Sequence, residues 1–198
     1  MSSPTGARVV TFLLGFGIGL AGDACHVASG TTAYDWDGVP ALWNSAIWFP
    51  FVVGLAVLGA AETGRRLGLP SRPRTRVDVV VGSAVVLALY ALTAALRHQD
   101  ATVSVVLCGA IAVAVWVLWD PTQRTFGIAA GAAVLGPIAE MLVSAAGAAH
   151  YASDADALGG VAPWLPCLYF AAGAVASGVI DALQVTTVTH DGVVAERE

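Results

Sequence analysis

Six long apolar runs dominate the sequence, over residues 9–27, 41–61, 77–96, 102–119, 126–149 and 161–183. A helix rises about 1.5 Å per residue, so about 20 such residues cross the roughly 30 Å hydrocarbon core of a bilayer. The runs are apolar all round, whereas membrane-barrel strands alternate apolar and polar residues over about ten positions. The chain is 57% hydrophobic and only 12% charged, about half the charge usual for a soluble domain. These features predict an all-α fold: a polytopic membrane protein whose six transmembrane helices form one membrane domain over residues 1–198. Disorder and a nucleic-acid partner are excluded by the scarcity of charge and the lack of a basic excess, the net charge being −5. Cys25, Cys108 and Cys167 lie within or beside apolar runs and read as small apolar residues, not as a disulfide framework.

The charges also orient the spans. All nine basic residues are Arg, and with abundant Ala, Gly and Val this composition points to a GC-rich bacterial genome and hence a plasma membrane. Arg8, Arg65, Arg66, Arg72, Arg74, Arg76, Arg124 and Arg197 fall on one side of a six-span topology, and Arg97 alone falls on the other. Arg is retained on the cytoplasmic side, so both termini are expected there. Tyr34, Trp36, Trp43, Trp48, Tyr151 and Trp164 fall near the outer boundary, and Trp116 and Trp119 near the inner one, as aromatic anchors at headgroup level would. A cleaved signal peptide over residues 1–30 is the competing reading; it would leave five spans, and the uncleaved first span is preferred. The Arg-rich connection 62–76, with Pro70 and Pro73, reads as a topology signal, with contact to anionic headgroups as the alternative. No internal repeat is visible, which argues against transporter plans built from paired halves.

Ionisable residues inside the runs are the candidates for function. Counted along the helices, Asp23 and Glu140 each lie roughly 21 Å from the cytoplasmic ends of their spans, and Tyr169 reaches the same level. His26 follows Asp23 by one helical turn and shares its face. A charged residue at the bilayer centre costs about 2.5–3.5 kcal/mol, while a large apolar residue returns only about 0.3–0.6. Glu140 should therefore face the bundle interior in its neutral form. Asp23, His26 and Glu140 read either as a polar floor for a lipid hydroxyl or a proton relay, or as a hydrogen-bonded structural set between helices. Asp181 reads as solvated or capping at the inner boundary, and His98, His150 and His190 fall in loops or the tail. The spacings Gly15-x-x-x-Gly19 and Gly127-x-x-x-Gly131 predict close helix contact within the bundle, and secondarily an oligomer. Zinc-protease and phosphate-loop motifs are missing, and Cys25-His26 is too sparse for a metal site. No cofactor is expected beyond a bound lipid.

Three stretches carry a family resemblance. Asn44-Ser45-Ala46-Ile47-Trp48-Phe49-Pro50 opens the second run, which continues to Arg66-Leu67-Gly68. Trp116, Asp120, Arg124, Phe126 and Gly127 straddle the connection between the fourth and fifth runs. Trp164-Leu165-Pro166-Cys167, followed by Phe170 and Gly173, opens the last. In order and topology these resemble the Insig (insulin-induced gene) family of six-span sterol-sensing regulators, over most of residues 7–185; the composition suggests a bacterial, actinobacterial or mycobacterial-type homologue. The resemblance implies a lipid-binding regulator and not a catalyst. It implies partner binding for Asp120, with Arg124 beside it, and ligand recognition for Trp116. Val103 and Leu107 stand where the animal proteins carry Gln and Thr, so those polar sterol contacts are missing here.

The leading expectation is a sterol-like or glyceride-like amphiphile held among the helices by Trp116, Asp23, His26, Glu140 and Tyr169, with a membrane-protein partner and a homo-oligomer as further expectations. The alternatives are a small proton-coupled transporter or channel using Asp23, His26 and Glu140, and a lipid-modifying enzyme, for which no nucleophile, base and orienting group are visible.

Overall fold

The computed structural model describes residues 4–34 and 40–184. The helices are α1 (Pro4–Ala28), α2 (Trp48–Leu67), α3 (Arg76–Ala95), α4 (Ala101–Trp119), α5 (Gln123–Ala145), α6 (Leu165–Ala176) and α7 (Val179–Gln184). Short strands β1 (Thr32–Ala33), β2 (Ala41–Leu42), β3 (Ser45–Ala46) and β4 (His150–Tyr151) lie in the connections. Among the described residues, five helical stretches are long and apolar enough to cross a membrane, counting Leu165–Gln184 as one. The sixth crossing is α2, which is uncharged over 48–61 and carries Glu62, Arg65 and Arg66 in its last turns.

Helix ends follow local chemistry. Thr75 accepts from the Asp78 backbone N–H while Asp78 answers with its carboxyl, a reciprocal cap that starts α3. Asp100 and Thr122 cap α4 and α5 in the same way from one side. Gly68 closes α2 with φ 62°, a left-handed position that suits glycine.

Two expected spans begin later than their apolar runs. Residues 41–46 form a hairpin, β2 pairing antiparallel with β3. Its two turn residues, Trp43 and Asn44, have φ 53° and 64°, the pattern of a primed two-residue turn. Ile47 N–H donates to Pro40 O at 2.9 Å, so helix geometry starts only at Trp48. The last run likewise enters its helix at Leu165 and is broken at Ser177–Gly178 between α6 and α7.

The sixth span is the centre of the bundle: in an apolar 18-residue stretch of each span, 67% is buried within Leu165–Gln184, against 17% within α4 and within α5. α5 and α4 pack on α6, α2 packs on α1, and α3 bridges α1 and α6. Gly15 and Gly19 make the predicted close contact, since a methyl group at either would come 2.7 Å from a Val Cβ of α2. Gly127 and Gly131 do not; both face open space. The aromatic belt is also thinner than expected. Tyr151, Trp164 and Trp119 are buried in the core, Trp43 is exposed, and Trp36 lies outside the described residues.

At the end away from the Arg-rich connection, β1 pairs with β4 and joins the α1–α2 connection to the α5–α6 connection. Arg97 reinforces this clasp by donating to both carboxyl oxygens of Asp154, at 2.7 Å for Nη1–Oδ2, and to Gly30 O at 3.3 Å. Among the described residues, the lone Arg on this side is thus used in pairing.

Candidate functional site

The pair α1/α2 and the pair α5/α6 stand apart along much of their length, and between them lies a cavity of about 640 Å³. Val52 and Leu135 line it yet are 50% and 68% exposed on the bundle surface, so it opens sideways between α2 and α5. Gly59, Gly127 and Gly131 form part of its wall, and the missing side chains of these glycines leave the space. Toward the Arg-rich end the lining is apolar apart from Thr63 and Ser83; the polar groups gather at the clasp end.

Three of those groups are the ionisable residues singled out in the sequence. Asp23 is buried, and its Oδ2 accepts the Tyr34 hydroxyl at 2.6 Å. Glu140 accepts two phenols, Tyr169 at 2.6 Å on Oε1 and Tyr151 on Oε2. The Thr93 hydroxyl donates its proton to Tyr90 O at 2.8 Å, so its oxygen accepts from His26 Nε2, also at 2.8 Å. The His26 ring packs between Tyr90 and Trp164 at 5.2 and 5.1 Å. Asp23, His26, Glu140 and Tyr169 therefore line one cavity, but each acid takes tyrosine partners of its own. Burial and the neighbouring Asp23 carboxyl push the Tyr34 phenol up, and burial with Glu140 does the same at Tyr151, so both remain donors.

Sequence reasoning missed Tyr34, Tyr90 and Tyr151 as cavity residues, together with the glycines that admit the rings. A Cβ at Gly136 would come 2.4 Å from Cγ of Tyr169, and one at Gly22 would come 2.5 Å from Cγ of Tyr90. A tyrosine paired by depth with a small residue on a facing span was the available signal.

Trp116 lies outside the cavity. Its ring meets Phe126 edge-on at 5.3 Å, and Phe126 meets Phe170 at 5.8 Å. Asp120 and Arg124 are 3% and 5% exposed, so neither presents a free surface. Asp120 Oδ2 accepts from Thr125 Oγ1 at 2.9 Å and from the Arg72 backbone N–H at 3.3 Å. Arg124 Nη2 donates to Ser177 O at 2.8 Å and to Asp181 at 2.6 Å. Asp181 is thus paired, contrary to the expectation of a solvated or capping acid. Arg74 lies 4.4 Å over the Trp119 ring. Together these groups tie the Arg-rich connection and the α4–α5 turn to the break between α6 and α7.

Among the described residues no group of three His, Cys, Asp or Glu is placed to hold a metal ion. Hydrogen-bonding groups at one end and hydrocarbon elsewhere suit an amphiphile.

No protein-family model matches the chain. It is 41% identical over 171 residues to the INSIG protein homolog of Mycolicibacterium vanbaalenii, covering 85% of this chain and 82% of that one. It is 26% identical over 170 residues to the insulin-induced gene 2 protein of Gallus gallus, covering 83% and 75%. The fold matches the crystal structure of the mycobacterial Insig homolog MvINS from Mycobacterium vanbaalenii with TM-score 0.85 and 36% identity, covering 88% of this chain and 92% of that one. It also matches a cross-linked trimer of an Arg-to-Cys variant of MvINS, with TM-score 0.86, 36% identity and coverage of 92% and 95%. With a six-crossing helical plan, the motifs around Trp48, Asp120 and Trp164, and this identity across most of both chains, the protein belongs to the Insig family.

Proposed function

We propose that the chain holds an amphiphilic lipid, sterol-like or glyceride-like, in the cavity between α1/α2 and α5/α6, and through it regulates a second membrane protein. The observation that carries this reading is the division of the lining. Asp23, His26 and Glu140 with their tyrosines occupy one end, and toward the other the wall is apolar apart from Thr63 and Ser83. An apolar cleft gains little over bulk lipid from burial alone, so selection rests on shape and on these few polar groups. The reading makes the protein a binder and not a catalyst. Asp120 then acts on a partner indirectly by holding the Arg-rich connection, and Arg124 by holding the break between α6 and α7. The Arg distribution supports a plasma-membrane location with both termini cytoplasmic, and the cross-linked MvINS trimer supports a homo-oligomer.

The test is extraction in mild detergent followed by mass spectrometry of co-purifying lipids. One lipid class should be enriched about tenfold or more over bulk membrane in the wild type. Gly131→Phe fills open space on a helix face and should abolish that enrichment while leaving the fold intact. A wild-type profile identical to bulk lipid overturns the proposal.

A further inference from the structure

At the Arg-rich end of the bundle some of the positive charge is left over by the fold. Among the described residues, Arg8, Arg65, Arg66, Arg72, Arg74, Arg76 and Arg124 lie there with Glu62, Asp78, Asp120 and Asp181, so cations outnumber acids by three. After Gln184 the sequence adds Asp191, Glu196 and Glu198 against Arg197, which narrows the excess without reversing it. Four of these arginines are committed. Arg8 and Arg65 share the Glu62 carboxylate, Arg74 is buried over the Trp119 ring, and Arg124 is buried against Asp181. Arg66 lies 3.6 Å from the same, already shared Glu62, and its side chain is 74% exposed. Arg72 and Arg76 are exposed and form no ion pair among the described residues. The Arg72 guanidinium donates only to a neutral carbonyl, Leu118 O, at 3.3 Å.

The neighbours of these three side chains place them in the headgroup layer. Leu67 and Leu69, both exposed, follow Arg66, and the exposed Val77 and Val80 follow Arg76 on α3. Apolar side chains this open, at the ends of two spanning helices, face acyl chains, so the guanidinium groups beside them stand where phosphates begin. A guanidinium is a planar fork of N–H donors that matches phosphate oxygens. A zwitterionic lipid brings its own cation to the same place, whereas an anionic one brings negative charge without it.

We infer that the 62–76 connection binds anionic phospholipids of the adjoining leaflet, the phosphate group taken by Arg66, Arg72 and Arg76 and the acyl chains lying along Leu67, Leu69, Val77 and Val80. None of the three arginines lines the cavity, and the inference does not rest on the amphiphile proposed there.

The experiment uses the full chain in a neutral detergent, with dioleoyl phosphatidylglycerol and dioleoyl phosphatidylcholine as competing probes and native mass spectrometry as readout. The wild type should bind phosphatidylglycerol about tenfold more tightly than phosphatidylcholine. That preference should shrink as ammonium acetate is raised, because salt screens exposed charges. Arg66→Gln combined with Arg76→Gln should weaken phosphatidylglycerol about tenfold and change phosphatidylcholine less than about threefold. Arg66→Lys combined with Arg76→Lys keeps the charge and should hold the preference to within about threefold of the wild type. Gly131→Phe, which fills the cavity, should leave the preference unchanged, and inorganic phosphate in about tenfold excess should not displace the lipid. Equal binding of the two lipids by the wild type overturns the inference. So does a preference that survives the glutamine substitutions, disappears in Gly131→Phe or yields to inorganic phosphate. The wild-type comparison and its salt dependence stand even where a variant folds poorly. A lipid class enriched on extraction without this preference leaves the cavity reading intact.

Discussion

Glu140 is held by hydroxyls from two directions, one on α6 and one on the clasp, and its role depends on both. Tyr169→Phe leaves a buried carboxyl oxygen without its donor and should destabilise the protein by about 1–3 kcal/mol, read as a lower thermal midpoint in detergent. Gly136→Ala should be at least as damaging, because its methyl group would overlap the Tyr169 ring and drive the hydroxyl from Glu140. If Gly136→Ala proves neutral, the ring is not held as described. At this scale the acids were legible in the sequence and their partners were not. An ionisable residue in an apolar run has one affordable direction, inward, which fixes Asp23, His26 and Glu140 on the interior. A tyrosine near the end of a span satisfies its hydroxyl equally well in headgroups or against a carboxyl, and only the tertiary fold decides. Trp116 shows the converse: a residue assigned to the ligand by resemblance lies outside the cavity lining, against Phe126.

Among the elements, the clasp and the broken sixth span carry the constraints. Arg97 holds the Asp154 carboxyl below its usual range, so this pairing is complete above about pH 4 and is lost as pH falls through the lowered value. Protection of the Ala152 N–H, which donates to Thr31 O at 3.0 Å, measured against the intrinsic exchange rate at each pH, should fall below that pH, and Asp154→Asn should lower it at neutral pH. Exchange unchanged in both would mean that β1 and β4 hold without Arg97. At the other end, Arg124→Met strips Ser177 O and Asp181 of their shared donor. We expect a loss of about 2 kcal/mol and faster exchange over 177–184. The spans were readable because their length and composition leave no alternative. The hairpin before α2 was not, since residues 41–46 are as apolar as the helix that follows and only the left-handed turn at Trp43 and Asn44 separates them. The misreading of Gly127 and Gly131 has a similar cause. Small residues on a helix face permit close approach, but they also line a gap, and spacing alone does not distinguish the two.

For the molecule as a whole, Arg8, Arg65, Arg66, Arg72, Arg74, Arg76 and Arg124 gather at one end of the bundle, with Arg97 at the other. Tags at both termini should therefore report from the cytoplasm; a tag at either end detected outside the cell would reverse the orientation. The cavity is fastened at both ends. The β1–β4 pairing secures one, and at the other Gly64 of α2 approaches Arg124, Ile128 and Ser177 too closely for a side chain. Only the middle of the slit, flanked by Val52 and Leu135, is left to admit a guest. Under the proposed lipid-holding function, such a guest would be drawn from the acyl chains around the protein and handed back to them without meeting water. On that proposal its occupancy would follow its mole fraction in the leaflet and its exchange rate would follow chain order and lateral pressure, making the protein responsive to the state of the bilayer and not to a dissolved concentration.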